Sequence, residues 1–277
     1  MHCSSCGSPN ADDSKFCARC GGALAAAAVA VAAPAPAVSG DLLGQKQQVA
    51  PYWHTLLMIL ILVGLSITGA RRVQRAETAH TPRPLLYATT IAMQWTMLGF
   101  VWLGVRRRGY KLRDLTGKPW KSVEDALLDV AIAAGFWIGA VVVLAVTARL
   151  IRFAPKLEDA RKALDFIAPS NALELGIWVL LALTAGICEE IIFRGYLQRQ
   201  FAALSRSVVA GILISAALFG ASHAYEGGQR MILIGLLGAM LGALAVWRKN
   251  LRPSMIAHTW QDVFAGFGLF VLRRLRG

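Results

Sequence analysis

The stretch LELGIWVLLALTAGICEEIIFR, Leu173–Arg194, sets two acids and a base at the end of an apolar run, Leu173 to Cys188, of the kind a bilayer contains. Charge is expensive in that setting. An Asp, Lys or Arg at the centre of a transmembrane helix costs roughly 2.5–3.5 kcal/mol on insertion scales, so intramembrane ionisable groups are candidates for function, with partners to be found. Two later apolar segments carry such partners, Phe219 with His223 and His258 with Asp262.

Composition agrees with a membrane setting. The chain has 277 residues, 56% of them hydrophobic and 16% charged, with a mean hydropathy of +0.52. Soluble domains sit near 45–50% apolar and about 25% charged. The expected fold is therefore all-α, a polytopic transmembrane helical bundle preceded by a small zinc ribbon. Apolar runs at 53–70, 85–105, 126–150, 172–194, 207–223, 231–247 and 253–272 are each close to the ~20 residues a span needs, giving about seven or eight spans. Trp53, Trp102, Trp178 and Trp247 stand near run ends, where an interfacial indole is favoured. A net charge of +13 would suggest nucleic acid in a soluble chain. Here the Lys and Arg lie mostly in short loops, which fits topogenic and lipid-headgroup contacts, and no nucleic-acid partner is expected.

Cys3, Cys6, Cys17 and Cys20 form two C-x-x-C knuckles separated by ten residues. Paired knuckles let four thiolates close on a structural Zn²⁺; two disulfides are the competing reading. Gly7, Gly21 and Gly22 can supply the tight turns after each knuckle. So small a ribbon has almost no apolar core and depends on its metal to fold. Zinc thiolates persist in a reducing compartment, which puts this end in the cytosol. The polar, Cys-rich start is not that of a secretory signal peptide. The basic cluster Arg106, Arg107, Arg108, Lys111, Arg113, Lys118 and Lys121 follows the second run and agrees with that orientation, that of a multi-pass cell-membrane protein.

The expected domains are a zinc ribbon at 1–22, an Ala/Pro-rich linker at 23–49 and a transmembrane bundle at 50–277. A short amphipathic helix is expected between Phe153 and Ile167, followed by Pro169-Ser170-Asn171 as a helix stop and a new N-cap.

Three polar pairs at i,i+4 spacing carry the chemistry. Glu190 and Arg194 share a helix face and suit an ion pair, whereas Glu189 points about one hundred degrees away. One acid can thus be held ionised by Arg194 while the other meets the interior as a general base; the plainer reading is a buried pair that fixes helix packing. Phe219 can pack beneath His223 and hold its rotamer. Asp262 can orient His258, and the two can donate to an oxyanion, supply metal ligands, or make a polar interhelical contact. Jointly the pairs describe a polar pocket for hydrolysis: Glu189 or Glu190 with His223 deprotonates water, and His258 with Asp262 stabilises the tetrahedral oxyanion. Cys188 adjoins the acids but sits in an apolar helix, where a thiol is an inert packing group.

The ordered motifs Glu189-Glu190-x-x-x-Arg194, Phe219-x-x-x-His223 and His258-x-x-x-Asp262 resemble those of the CPBP intramembrane proteases, the family of type II CAAX prenyl endopeptidases and of relatives implicated in bacteriocin self-immunity. Gly195 and Tyr196 continue the first motif, and the similarity covers about residues 120 to 272. The resemblance implies hydrolysis of a membrane-associated peptide or protein by water activated at the Glu pair and His223, in a mechanism described both as glutamate-dependent and as metal-dependent. Zn²⁺ at the two imidazoles and the carboxylates is compatible with the residue types, although no H-E-x-x-H helix is present. An Asn in the last position can donate to an oxyanion, whereas Asp262 donates only when protonated.

The resemblance leaves out the ribbon, whose only basic or aromatic groups of note are Lys15, Phe16 and Arg19; docking of a cytosolic protein is its expected role. Two rival readings use the same residues. One is a non-catalytic membrane scaffold or immunity-type protein that recruits partners through the ribbon. The other is a transporter with the buried acids and histidines as a proton relay, disfavoured by the lack of a repeat among the spans.

Overall fold

A computed structural model describes residues 1–24, 47–74, 82–153 and 167–275. Most of the expected linker and the expected amphipathic helix between Phe153 and Ile167 lie outside the described residues. The chain divides into two units, Met1–Ser39 and Gly40–Gly277.

In the first unit each knuckle is closed in the same way. The amide of Cys3 donates to Ser8 and that of Gly7 to Cys3; the amide of Cys17 donates to Gly22 and that of Gly21 to Cys17. Such turns need a left-handed residue after the second cysteine, and Gly7 and Gly21 supply it with φ of 72° and 70°. Gly22 has no such backbone; it lies against Cys20 and Ser5 instead.

The second unit is helical: α1 Tyr52–Gln74, α2 Arg83–Arg106, α3 Leu112–Thr116, α4 Val123–Leu150, α5 Ala172–Glu189, a π-helical segment Glu190–Leu197, α6 Gln198–Ser205, α7 Val208–Ser222, a 3₁₀ turn Ala224–Glu226, α8 Gly228–Arg248 and α9 Arg252–Arg274. Among the described residues six helical stretches are long and apolar enough to span a bilayer, the longest being Ala172–Ser205. The fifth expected span, 207–223, is a shorter apolar helix of 15 residues, α7. The fourth expected span continues beyond Arg194, because the π-helical segment passes into α6 without a break.

Local sequence explains the start of the fourth span. Asn171 accepts the amide of Glu174 as an N-cap, and Glu174 Oε2 accepts from both the amide and the hydroxyl of Ser170. That carboxylate serves the helix terminus. The outer surface is apolar where lipid would touch it: on α4, Leu127, Leu128, Ile138, Val142 and Val146 are all exposed. Inside, every residue of the π-helical segment is buried. Its side chains Ile191, Ile192, Phe193, Tyr196 and Leu197 share one core with Cys188, Phe219 and Leu251.

A polar clamp ties this central segment to α1. His54 stacks on Phe100 at 4.1 Å, and its Nε2 lies 2.9 Å from the Phe100 carbonyl, so Nε2 carries the proton. Nδ1 then accepts from the Tyr196 hydroxyl at 2.8 Å. Gln200 completes the clamp by accepting from the amides of Val49 and Ala50 and donating to Ala50 and Thr55. Buried polar groups are thereby satisfied pairwise, which fixes the rotation of the central helix.

Candidate active site

The central helix, α7 and α9 bring the predicted residues to one place. Glu190, fully buried, carries two partners on one oxygen: Oε1 accepts from Arg194 Nη1 at 2.7 Å and from His258 Nδ1 at 2.8 Å. Arg194 also donates to the carbonyl of Gly238 at 3.1 Å and lies 4.4 Å above the Phe219 ring. Its charge is thus met by a carboxylate, a carbonyl and a π face, as a buried guanidinium requires. Gly238 permits this: a Cβ there would come within 2.9 Å of the Phe219 ring and 3.3 Å of Arg194 Nη2.

Glu189 faces elsewhere, as one residue of helical rotation demands. Its Oε1 accepts from Gln94 Nε2 on α2 at 2.8 Å, and its Oε2 lies 3.9 Å from His258 Nε2. The two acids therefore occupy different environments, Glu190 locked in an ion pair and Glu189 held by a neutral amide.

Phe219 touches both imidazoles, with ring centroids 5.0 Å from His223 and 5.7 Å from His258. His223 Nδ1 lies 2.9 Å from the Phe219 carbonyl. A carbonyl only accepts, so Nδ1 carries the proton and neutral His223 keeps Nε2 as a free base. His258 was expected to be oriented by Asp262, but the carboxylate within hydrogen-bond distance is that of Glu190. Asp262 Oδ2 stays 3.7 Å from His258 Nε2, because a short Asp one turn along the same helix falls short of the ring while Glu190 reaches it from the neighbouring helix. Asp262 interacts electrostatically with His258, Glu189 and His223.

Trp178 donates its indole N–H to the Asp262 carbonyl at 2.8 Å and packs over Gly266. It joins α5 to α9 beside the site. Two polar neighbours were not expected. Gln94 was detectable as a lone amide in an apolar run. Tyr225, in the 3₁₀ turn, lies 5.9 Å from the His223 ring and interacts electrostatically with Glu189 and Asp262; it had no signal beyond its nearness to His223 in sequence.

The cysteines of the first unit fit a metal. Cys3 and Cys20 sulfurs are 3.6 Å apart, as are those of Cys6 and Cys17, and all four lie within 4.8 Å of one another. A tetrahedral ZnS₄ centre with bonds of about 2.3 Å has sulfurs about 3.8 Å apart, whereas a disulfide needs about 2.05 Å. All four are free thiols, so the ribbon reading holds and the disulfide one does not. The Cys17 thiol is held down at about 6 by the backbone N–H groups of Cys20 and Arg19, which favours the ligating thiolate. Among the described residues these cysteines are the one group of His, Cys, Asp or Glu whose ligand atoms converge so closely. The ligand atoms of Glu189, His223, His258 and Asp262 do not converge to that spacing.

Fold and site together define a multi-pass membrane protein with a buried acid–imidazole constellation. Residues 171–264 match the family model described as Type II CAAX prenyl endopeptidase Rce1-like, and residues 2–24 match a zinc-ribbon domain. The chain thus carries an Rce1-like CAAX protease domain and an N-terminal zinc ribbon, which supports intramembrane protease activity. No curated protein and no solved structure gives a match.

Proposed function

We propose that the protein is an intramembrane endopeptidase that cleaves a membrane-associated protein or peptide by glutamate-dependent hydrolysis. The observation that carries this reading is the division between the two acids: Glu190 is engaged through Oε1 by both Arg194 and His258, while Glu189 presents Oε2 toward the imidazole of His258. Glu189, with the free Nε2 of His223, takes a proton from water as its oxygen attacks the scissile carbonyl. The carbonyl π electrons pass to oxygen, and the doubly protonated His258 donates Nε2–H to that oxyanion, its Nδ1–H being committed to Glu190. Collapse of the tetrahedral intermediate breaks the C–N bond, and the proton taken from water goes to the leaving amine. Asp262 contributes a donor when protonated. The low-dielectric interior strengthens each of these interactions.

In the cell membrane, the ribbon and the basic cluster after α2 would face the cytosol, where the ribbon docks a protein partner. The functional test is cleavage by purified, folded Glu189→Ala, Glu190→Ala and His223→Ala variants. Loss of cleavage in Glu189→Ala and His223→Ala is expected, and survival of parental cleavage in all three would rule the reading out.

A further inference from the structure

We propose that Gln94 is a positioning residue that acts through Glu189, so that the catalytic carboxylate is aimed from α2, outside the segment that matches the protease family. This rests on the hydrolytic reading above. The buried face of α2 is otherwise built from Tyr87, Met97, Leu98, Val101, Gly104 and Val105, and Gln94 is its one amide, only 6% exposed. Gln94 Nε2 makes the one hydrogen bond, at 2.8 Å, that the Glu189 carboxylate forms among the described residues. Because an ionised carboxylate can only accept, the contact itself decides which end of the amide faces Glu189.

The other end is informative. Gln94 Oε1 is sealed from solvent and has no protein donor. Were this position only a packing position, Leu or Met would fill the stripe without stranding an acceptor. What the amide supplies is direction: it pins Glu189 Oε1 on the α2 side and thereby leaves Oε2 on the His258 side. Glu190, Arg194, His258, Asp262 and Tyr225 surround Glu189 with charge or a phenol, and none of them holds it by a hydrogen bond. A neutral donor can fix the carboxylate without adding a further charge to this crowded site.

The test uses the full chain in lipid nanodiscs with Gln94→Met, which keeps the length and loses the donor, and Gln94→Asn, which keeps a shorter donor. One readout needs no substrate: the rate at which dicyclohexylcarbodiimide modifies Glu189, followed by mass spectrometry. Freed of its hydrogen bond, Glu189 should react about tenfold faster in Gln94→Met, with Gln94→Asn in between, as loss of a charge-assisted bond implies. The second is hydrolysis of a quenched fluorescent peptide that the parent cleaves, where kcat should fall about tenfold in Gln94→Met with KM unchanged and the melting temperature maintained. A labelling rate and a kcat both equal to the parent's would overturn the proposal. Cleavage that survives Glu189→Gln would instead sink the hydrolytic reading, and the labelling rates would still decide whether Gln94 holds Glu189.

Discussion

Glu190 Oε1 sits 2.8 Å from His258 Nδ1, a hydrogen bond that spans 68 positions of sequence and joins the central helix to α9. Since Arg194 Nη1 reaches the same oxygen at 2.7 Å, the carboxylate acts as a hinge pin between the central helix and α9. In the mechanism proposed above Glu190 serves as this structural pin, and four predictions follow from the way the site is arranged.

Arg194→Met leaves Glu190 buried beside an imidazole alone. Removing one partner of a buried pair costs about 3–5 kcal/mol, so the variant should unfold well below the parent in a detergent melt. Adding Glu190→Gln removes the stranded charge and should recover part of that loss.

His258→Ala removes the proposed oxyanion donor. Its kcat should fall by on the order of 10²–10³ with little change in KM, measured on a quenched peptide substrate. Equal losses in kcat/KM and kcat would mark an interaction made in the transition state alone.

Asp262→Asn should keep or raise kcat, and most clearly at neutral pH. An amide donates a hydrogen bond at every pH, whereas a carboxyl donates only while protonated. Profiles of kcat against pH for the two proteins provide the comparison, and a loss of activity in the variant would instead favour a base or ligand role for Asp262.

Gly238→Ala should lower both stability and activity. The new Cβ would crowd the Phe219 ring at 2.9 Å and Arg194 Nη2 at 3.3 Å. Overpacking of this kind costs typically about 1–3 kcal/mol, to be read as a shift in melting temperature.

Metal content separates the two units. The full chain should bind zinc, Cys17→Ser should lose most of it, and a protein beginning near Asp41 should bind none, by elemental analysis of the purified forms. Zinc retained by the shortened protein would place an ion elsewhere in the chain.

The start of the fourth span and its Asn171 cap were readable because capping and apolar runs are local. So was the Glu190–Arg194 pair, since four residues of helical spacing nearly suffice to make it. The bond from Glu190 to His258 was not, because spacing within α9 favours Asp262 and only the packing of α9 on the central helix decides otherwise. The partner of Gln94 was hidden for a similar reason: one amide in an apolar run is visible in the sequence but does not reveal which helix it meets. The π-helical backbone of Glu190–Leu197 left no mark in composition, since the same side chains fit an α-helix.

The brevity of α7 bears on how water arrives. Fifteen residues rise about 22 Å, against a hydrocarbon core about 30 Å thick. A helix that leaves one interface near Ser207 therefore stops roughly 8 Å before the other, with His223 as its last cap, and the bilayer must thin or the polar boundary must dip to meet it. Hydrolysis inside the membrane then needs no channel along the whole span, only a local depression of the interface over His223. On the hydrolytic reading proposed above, turnover should therefore be slower in long-chain than in short-chain lipid nanodiscs.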